Sequence, residues 1–262
     1  MCAVSLKSFR AGKCERCPLH NLGVCGAATP EALNELDHIS RFRDYAAGET
    51  ILSEGEDARI VGNVVSGVVK ISKILPDGRQ QIVGLLMAAD FFGRAYAKIS
   101  PFLFEAATDV TLCRMDQRAF EAVVARHREL EHALLVSTLD ELDASRDWML
   151  MLGAQTTLER FASYLVILLT RLSAQGCRLD GAAAHNVVEL PVGRRDLAAY
   201  LGTTVETISR NVQELARRGV IGIVTSSRFE VLDEPALFEL SGRDETDLDH
   251  AAELRIARRL SA

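Results

Sequence analysis

The stretch R-R-D-L-A-A-Y-L-G-T-T-V-E-T-I-S-R-N-V-Q-E-L-A-R-R-G, residues 194–219, contains two short amphipathic helical patterns separated by a glycine turn. The first pattern covers residues 194–201, the turn is G-T-T at 202–204, and the second pattern ends at Gly219. Thr204 is of a residue type that caps helix N-termini, and glycine commonly follows a helix C-terminus. The pattern is typical of a helix-turn-helix, although an ordinary helical hairpin would share it.

A predicted wing and a locally basic charge accompany these helices. The segment V-I-G-I-V-T-S-S-R-F-E-V-L, residues 220–232, has two short apolar runs around T-S-S and predicts a β-hairpin. Between Leu190 and Phe229 six arginines stand against three acidic residues, in a chain whose net charge is -6. A basic segment within an acidic chain indicates a surface that meets phosphates, although a solvated helix face can have the same composition.

The region from Phe42 to Asp116 alternates short apolar runs with glycine-containing turns. Examples of the runs are N-V-V-S-G-V-V-K-I at 63–71 and Q-I-V-G-L-L-M at 81–87, with the turn P-D-G-R between them. Proline fixes one backbone dihedral of such a turn, and glycine accepts a positive one. The region therefore predicts an antiparallel β-sandwich or barrel.

Helical periodicity follows from Gln117 to Ser173, with no proline and one internal glycine, Gly153. Five residues step by 4, 3, 4 and 3 along one side of this pattern: Leu135, Leu139, Leu142, Arg146 and Met149. The steps fit the seam of a coiled-coil homodimer, and equally a helix packed on its own domain. Acidic residues stand beside the seam, namely Asp140, Glu141, Asp143 and Asp147. Because like charges from two copies repel, the sequence predicts a marginal dimer.

Three of the six cysteines fall in the N-terminal stretch K-C-E-R-C-P-L-H-N-L-G-V-C-G, residues 13–26, with the spacing C-x2-C-x7-C. The chain opens without an apolar signal segment and has no apolar run long enough to span a bilayer. We therefore expect a cytoplasmic protein with no membrane partner. In that reducing compartment, clustered cysteines indicate a metal or redox site more often than disulfides.

The sequence contains no motif of a common enzyme class. G-x-x-x-x-G-K-[ST], H-E-x-x-H and G-x-S-x-G are all absent from it. A redox enzyme would leave the predicted helix-turn-helix without a role, so the sequence predicts a protein that is not an enzyme.

The order of β-barrel, long helix and winged helix-turn-helix, over about residues 30–240, resembles the CRP/FNR superfamily of bacterial transcription regulators. The string V-E-T-I-S-R at 205–210 and the cysteine spacing resemble its oxygen-sensing FNR branch, in particular alphaproteobacterial members. The resemblance implies an α+β chain with an N-terminal jelly-roll barrel of the cyclic-nucleotide-binding type as sensor domain. The implied boundaries are a cluster-binding segment 1–29, sensor domain 30–127, dimerisation helix 128–156, winged helix-turn-helix 157–240 and charged tail 241–262.

In the FNR branch, three N-terminal cysteines and one at the far end of the barrel hold a 4Fe-4S cluster. The resemblance therefore implies four ligands here: Cys14, Cys17, Cys25 and Cys113. Iron–sulfur clusters commonly take four thiolates, which agrees with this set. A structural zinc ion and a metal-free thiol sensor remain alternatives. Cys2 and Cys177 match no position of the motif, and His20 is interpreted as a loop residue.

The related CRP branch binds cyclic AMP in the same barrel. Here the corresponding stretch is F-F-G-R-A-Y-A-K-I-S-P-F-L-F-E-A-A-T, residues 91–108. Its segment from Pro101 to Glu105 places bulk and a carboxylate where a phosphate would lie, and a desolvated negative charge opposite an anion is costly. We therefore expect no cyclic nucleotide.

The resemblance also implies how DNA is read. The family pattern assigns base contacts to Glu206, Ser209 and Arg210, residue types that can pair with cytosine, several base edges and guanine, respectively. Phosphate contacts fall to Arg194, Arg195, Thr203 and Thr204. The expected partners are double-stranded DNA with a palindrome like TTGAT-N4-ATCAA, a second copy of the chain, and RNA polymerase. The cluster would promote dimerisation, and hence DNA binding, when oxygen is low.

Overall fold

The computed structural model describes Cys14, Cys17 and residues 19–78, 80–174 and 186–242. Its contacts divide the chain into two units, one reaching Ala144 and the other beginning at Ser145. The division falls inside one long helix. Cys2, Cys177 and most of the predicted tail lie outside the described residues, and the domain boundaries given above stay predictions.

The first unit contains the barrel. Its described strands are β1 (Arg41–Tyr45), β2 (Thr50–Leu52), β3 (Ile60–Ser66), β4 (Val69–Ile74), β5 (Gln80–Leu86), β6 (Phe91–Phe92), β7 (Leu103–Ala106) and β8 (Val110–Asp116). They form two antiparallel four-stranded sheets, in the orders β1-β8-β3-β6 and β2-β7-β4-β5. The predicted turn between β4 and β5 contains Gly78 at a φ of 84°, a conformation that glycine adopts without steric cost.

Apolar side chains from both sheets fill the interior of the barrel. The buried members are Tyr45, Leu52, Val64, Val69, Ile71, Leu86, Phe92, Phe104, Ala106, Val110 and Leu112. The rings of Phe92 and Phe104 meet edge to face with their centroids 5.0 Å apart. Because successive residues of a strand point to opposite faces, Leu112 belongs to this interior while Cys113 packs in a separate cluster with Leu19 and Val65.

Helices flank the barrel within the same unit. A 3-10 helix (Gly23–Ala27) leads into α1 (Pro30–Ile39), and β8 leads into α2 (Gln117–Val124) and then α3 (Arg128–Ala154). Thr29 caps α1 by accepting a hydrogen bond from the Ala32 amide, and Asp116 caps α2 in the same way. One apolar cluster joins the 3-10 helix, α1, α2 and the first turn of α3: Val24, Ala32, Leu36, Val61, Met115, Phe120, Val123, Val124 and Leu130.

The second unit contains the end of α3 and the predicted winged helix-turn-helix. Its elements are α4 (Thr157–Ala174), β9 (Val187–Glu189), α5 (Arg194–Tyr200), α6 (Val205–Arg217), β10 (Ile221–Ile223), β11 (Arg228–Val231) and α7 (Glu234–Ser241). The strands form an antiparallel sheet in the order β10-β11-β9. Trp148 of α3 stacks on Tyr200 of α5, with the ring centroids 3.8 Å apart.

The structure confirms the predicted α+β fold with its barrel, long helix and winged helix-turn-helix. The helical periodicity from 117 to 173 is divided among three helices, α2, α3 and α4. The break between α2 and α3 follows Val124, and the break between α3 and α4 follows Ala154. Within the described residues, no helix combines the length and apolar character that a membrane span requires.

Candidate metal centre and DNA-binding surface

The four predicted cluster ligands meet in one cavity. Cys14, Cys17 and Cys25 come from the N-terminal segment and Cys113 from the middle of β8, and all four line the same cavity. Its empty volume is about 360 Å3, including the open solvent that it adjoins. Leucine and methionine side chains make up most of the rest of the wall, and His20 also lines the cavity. None of the four cysteines forms a disulfide.

Hydrogen bonds from α1 and β3 position this segment. The Cys14 amide donates to Asp37 Oδ1 at 2.9 Å, and Asn63 Nδ2 of β3 donates to Cys25 Sγ at 3.4 Å. The Ser40 hydroxyl, just after α1, donates to the Leu36 carbonyl at 2.6 Å and lies beside the Cys113 thiol, whose pKa it lowers slightly against the larger effect of burial. His20 lies half-buried with its Nδ1 atom 2.9 Å from the Cys17 carbonyl oxygen. The loop is therefore held by polar contacts to ordered elements.

Burial and mutual proximity make the thiols weak acids. Burial first, and then the Cys113 thiol and the Asp37 carboxylate, raise the pKa of Cys14 to about 12. Burial and the other cavity thiols raise the pKa of Cys25 to about 12, with a small opposing effect of the Asn63 hydrogen bond. Burial likewise raises the pKa of Cys113 to about 11 and that of Cys17 above its usual value. Without a bound cation, the cavity therefore holds neutral thiols at physiological pH.

Four thiols around one cavity are the donor set that iron–sulfur clusters commonly use. Structural zinc can also take four thiolates. In the part of the chain that the structure describes, no three Cys, His, Asp or Glu side chains are close enough together to hold a single metal ion. The donor types fit a 4Fe-4S cluster, with zinc as the alternative.

Helix α1 connects the cavity to the start of α3. On one side Asp37 accepts from the Cys14 amide. On the other side Glu35 accepts from Arg126 Nε at 3.2 Å and lies 3.2 Å from His127 Nε2. The Arg126 and His127 bonds lower the pKa of the Glu35 carboxyl. A second link runs from the Thr29 hydroxyl to Glu129 Oε1 in the first turn of α3, at 3.1 Å.

The predicted seam of α3 is exposed in the single chain. The exposed fraction is 56% for Leu135, 50% for Leu139, 44% for Leu142 and 64% for Met149, and Arg146 is also exposed. Leu150, which the heptad steps do not include, is 68% exposed. Large apolar side chains at such exposure indicate a surface that a partner covers.

Helix α6 presents the predicted base-reading residues near its N-terminus. Thr204 caps the helix by accepting from the Thr207 amide at 3.2 Å. Glu206 is exposed, and hydrogen bonds from its own amide and from Thr204 lower the pKa of its carboxyl. Arg210 is exposed, with Nη2 3.5 Å from the Thr207 hydroxyl. Thr203, predicted to contact phosphate, is half-buried in the turn before α6.

The two arginines that open α5 differ in their surroundings. Arg195 is exposed, and the described residues give it no side-chain hydrogen bond or ion pair. Arg194 is half-buried and donates from Nη1 to Ser209 Oγ at 2.8 Å and from Nη2 to the Ser226 carbonyl at 3.1 Å. The Arg194 guanidinium therefore donates to groups within the protein, whereas the sequence predicts that it contacts a phosphate.

The barrel stretch that corresponds to a cyclic-nucleotide site is occupied differently from the prediction. Phe104 is buried in the barrel interior against Phe92, which supplies the predicted bulk. Glu105, next to it on β7, lies outside that interior cluster and pairs with Lys70 Nζ at 2.6 Å. The Lys70 ammonium therefore offsets the carboxylate charge that the sequence analysis sets against a phosphate.

Comparisons with known proteins agree with both units. Residues 42–127 match the family model of the cyclic nucleotide-binding domain, and residues 159–240 match that of the Crp-like helix-turn-helix domain. A transcriptional activator protein FnrL of Cereibacter sphaeroides is 37% identical over 232 residues, which cover 88% of this chain and 93% of the relative. The chain belongs to the CRP/FNR family of transcription regulators.

Further members of the CRP/FNR family are similar to this chain. A nitrogen fixation regulation protein FixK of Bradyrhizobium diazoefficiens is 34% identical over 211 residues, covering 80% of this chain and 86% of the relative. The solved structure of FixK2 from Bradyrhizobium japonicum superposes with a TM-score of 0.71 at 29% identity, over 79% of this chain and 99% of that one. The predictions of a DNA-binding regulator and of a protein that is not an enzyme are thereby confirmed.

Sequence reasoning missed several residues of this CRP/FNR chain. Asp37, Ser40 and Asn63 contact the cavity cysteines, yet each is an ordinary polar residue in its local segment. Asn63 alone carries a local signal in the sequence, because it is a polar residue within an apolar strand. In the structure it is 4% exposed. A buried polar side chain requires a partner, but the sequence does not say which one.

Proposed function

We propose that this chain is an oxygen-responsive regulator that binds DNA as a homodimer when its cavity cysteines hold a 4Fe-4S cluster. The observation that carries the proposal is the convergence of the four thiols on one cavity. Three come from the N-terminal segment and the fourth, Cys113, lies almost ninety residues further along the chain. The resemblance of the cysteine spacing to the FNR branch supports the same ligand set.

The cavity residues would bind the cluster as thiolates. Because burial raises the pKa values of Cys14, Cys25 and Cys113, these thiols must lose protons on binding. The Asn63 amide, which donates to the Cys25 sulfur, and the neighbouring Ser40 hydroxyl beside Cys113 favour the charged forms of these thiols. A bound 4Fe-4S cluster would supply a centre that oxygen oxidises and dismantles.

The contacts of α1 support a route from the cavity to the dimer surface. Asp37 accepts from the Cys14 amide, and Glu35 on the same helix contacts Arg126 and His127. These residues precede α3 directly, so a shift of α1 would move the first turn of the predicted dimerisation helix. The coupling required is modest, because a change of about 1.4 kcal/mol alters a dimer equilibrium tenfold.

A second copy of the chain is the proposed partner of the exposed seam. Leu135, Leu139 and Leu142 repeat at coiled-coil spacing and are all at least 44% exposed. The two recognition helices of such a dimer would address a palindromic site of the kind predicted from the sequence. By the same resemblance we propose RNA polymerase as a further partner, which agrees with the name of the activator FnrL.

The alternatives receive less support from the site. A metal-free thiol sensor needs reactive thiolates, whereas burial raises the pKa values of these thiols. A structural zinc ion would use the same four thiols, and metal analysis of the isolated protein distinguishes it from a cluster. Cyclic nucleotide is not part of the proposal, since the rings of Phe92 and Phe104 fill the barrel interior.

The proposal is tested by isolating the protein without air. We expect about four iron and four sulfide per chain and a broad visible absorption band that disappears on exposure to air. Sedimentation and DNA binding measured on the same samples should change in parallel with iron content. Stoichiometric zinc would contradict the proposal. Dimerisation and DNA binding that do not change with iron content or with exposure to air would contradict it as well.

A further inference from the structure

Arg194 connects three parts of the DNA-binding unit. It opens α5, its Nη1 atom donates to Ser209 Oγ on α6 at 2.8 Å, and its Nη2 atom donates to the Ser226 carbonyl in the wing turn at 3.1 Å. Its Nε atom is buried. A guanidinium offers several donors in a rigid planar fork, which suits a bridge between two acceptors. The side chain is thus committed to contacts within the protein.

The hydroxyl of Ser209 is committed as well. Its proton is donated to the Val205 carbonyl one turn earlier on α6, at 3.0 Å. A serine hydroxyl has one proton to donate and two lone pairs that accept. The Arg194 bond occupies one of those lone pairs. While both contacts are kept, one lone pair remains available to a ligand, so in this arrangement Ser209 accepts a hydrogen bond and does not donate one.

We propose that Arg194 is a positioning residue that makes Ser209 an acceptor-only reader of DNA bases. Ser209 lies in the N-terminal half of α6, the part of a recognition helix that contacts base edges in the major groove. The amino groups of adenine and cytosine are donors there, while guanine O6 and thymine O4 are acceptors. On the strand that it faces, Ser209 therefore selects adenine over guanine, or cytosine over thymine.

The proposal changes the expected role of both residues. A free serine hydroxyl could pair with several base edges, because it can rotate to donate or accept. A phosphate-binding Arg194 would add affinity without sequence preference. In the bridged arrangement, Arg194 contributes specificity through the hydroxyl that it orients, and the neighbouring, exposed Arg195 remains the candidate for phosphate contact.

The test compares affinities of full-length protein, prepared without air, for a specific site and for single-base variants of it. Ser209→Ala first identifies the base position whose preference depends on the hydroxyl. At that position the parent protein should prefer adenine over guanine, or cytosine over thymine, by about fivefold, the worth of one hydrogen bond. In Arg194→Lys that preference should fall close to one.

The lysine variant separates positioning from phosphate binding. Lysine keeps the charge but cannot bridge Ser209 and the Ser226 carbonyl with a planar fork. The dependence of affinity on salt should therefore stay unchanged in Arg194→Lys, while Arg195→Ala should weaken binding to all sequences and lower the salt slope by about one. Circular dichroism and thermal unfolding of Arg194→Lys verify that α5 and α6 remain folded.

Three results would each overturn the proposal. The first is a parent preference for guanine or thymine at the Ser209 position. The second is an Arg194→Lys protein that keeps the parent preference. The third is an Arg194→Ala protein that loses affinity equally on every sequence with a lower salt slope. Ratios of affinities cancel the fraction of dimer, so these outcomes do not depend on whether a cluster controls dimerisation.

Discussion

The cysteine cavity and the recognition helix differ in how far apart in the sequence their residues lie and in how exposed those residues are. The recognition residues lie on one helix and its preceding turn, within residues 203–210, and most are exposed. The cavity residues come from the N-terminal segment, α1, β3 and β8, and all of them are buried or half-buried. The first site is fixed by local helix geometry, whereas the second exists only when the barrel has formed.

This difference decides where each site is vulnerable. Substitutions on the exposed face of α6 should change DNA binding with little effect on folding, because they remove few packing contacts. Substitutions in the strands behind Cys113 should change the fold of the barrel unit itself.

The largest effect is expected where β3 pairs with β8. A methyl group added at Gly62 would lie 1.9 Å from the Cys113 carbonyl oxygen. The residues before and after Gly62 in β3 are buried. Gly62→Ala should therefore destabilise the barrel unit by about 3 kcal/mol or more. Gly153→Ala is the control, because nothing lies within 4 Å of its added methyl group on α3.

Denaturant unfolding followed by circular dichroism measures both glycine variants. We expect Gly153→Ala to be stabilising by about 0.5 to 1 kcal/mol, since alanine is a better helix former than glycine. A Gly62→Ala protein as stable as the parent would show that β3 and β8 are not packed as the structure has them.

The next effect is expected at the exposed end of α6. Arg210→Ala should weaken binding to the specific site by roughly 1 to 3 kcal/mol and relax the preference at one guanine, while leaving unfolding unchanged. Arg217→Ala on the same helix is the matched control, because Arg217 is paired with Glu214 at 2.8 Å. Competition binding with single-base site variants measures the preference. Equal weakening on every sequence would mean that Arg210 contacts only phosphate.

A smaller effect should separate sensing from folding. Glu35→Gln removes the ion pairs with Arg126 and His127, and such solvent-exposed pairs contribute little to stability because water screens them. If α1 transmits cluster binding, iron content should be unchanged while the ratio of dimer association with and without cluster falls about two- to fivefold. Glu31→Gln, exposed on the same helix, is the control. An unchanged ratio in Glu35→Gln would remove α1 from the route.

The smallest effect concerns the acids beside the seam of α3. Neutralising Asp143, beside Leu142, should favour the dimer in air by a few tenths of a kcal/mol, because exposed like charges repel weakly. High salt should act in the same direction by screening. Analytical ultracentrifugation of aerobic Asp143→Ala beside the parent at low and high salt measures both. Identical sedimentation would show that the cluster acts through apolar packing of the seam alone.

How far the sequence predicts each region follows from the same contrast. The helix-turn-helix and the wing were predictable because turn glycines, the Thr204 cap and helical periodicity act over a few residues. The partnership of Cys113 with the N-terminal cysteines depends on strand pairing over many residues, and it was predicted only through resemblance to a family. Spacing alone could not select one barrel residue as the fourth ligand.

Two side chains show why local patterns assign residue roles incompletely. Arg194 carries the charge expected of a phosphate contact, yet Ser209 and the wing carbonyl of Ser226 lie within its reach once α5 and α6 pack. Glu105 is an acid in the stretch predicted to exclude a nucleotide, yet the pairing of β7 with β4 brings it to Lys70. In both cases the partner is distant in sequence, so the composition of the segment could not reveal it.

We propose that Cys113 completes a four-cysteine cluster site with Cys14, Cys17 and Cys25. The deciding measurement is the iron and sulfide content of anaerobically prepared Cys113→Ala, with Cys177→Ala as the control outside the motif. We expect Cys113→Ala to lose the cluster and the visible absorption band, while Cys177→Ala retains about four iron per chain. Stoichiometric iron and sulfide in Cys113→Ala would show that Cys113 is not a ligand.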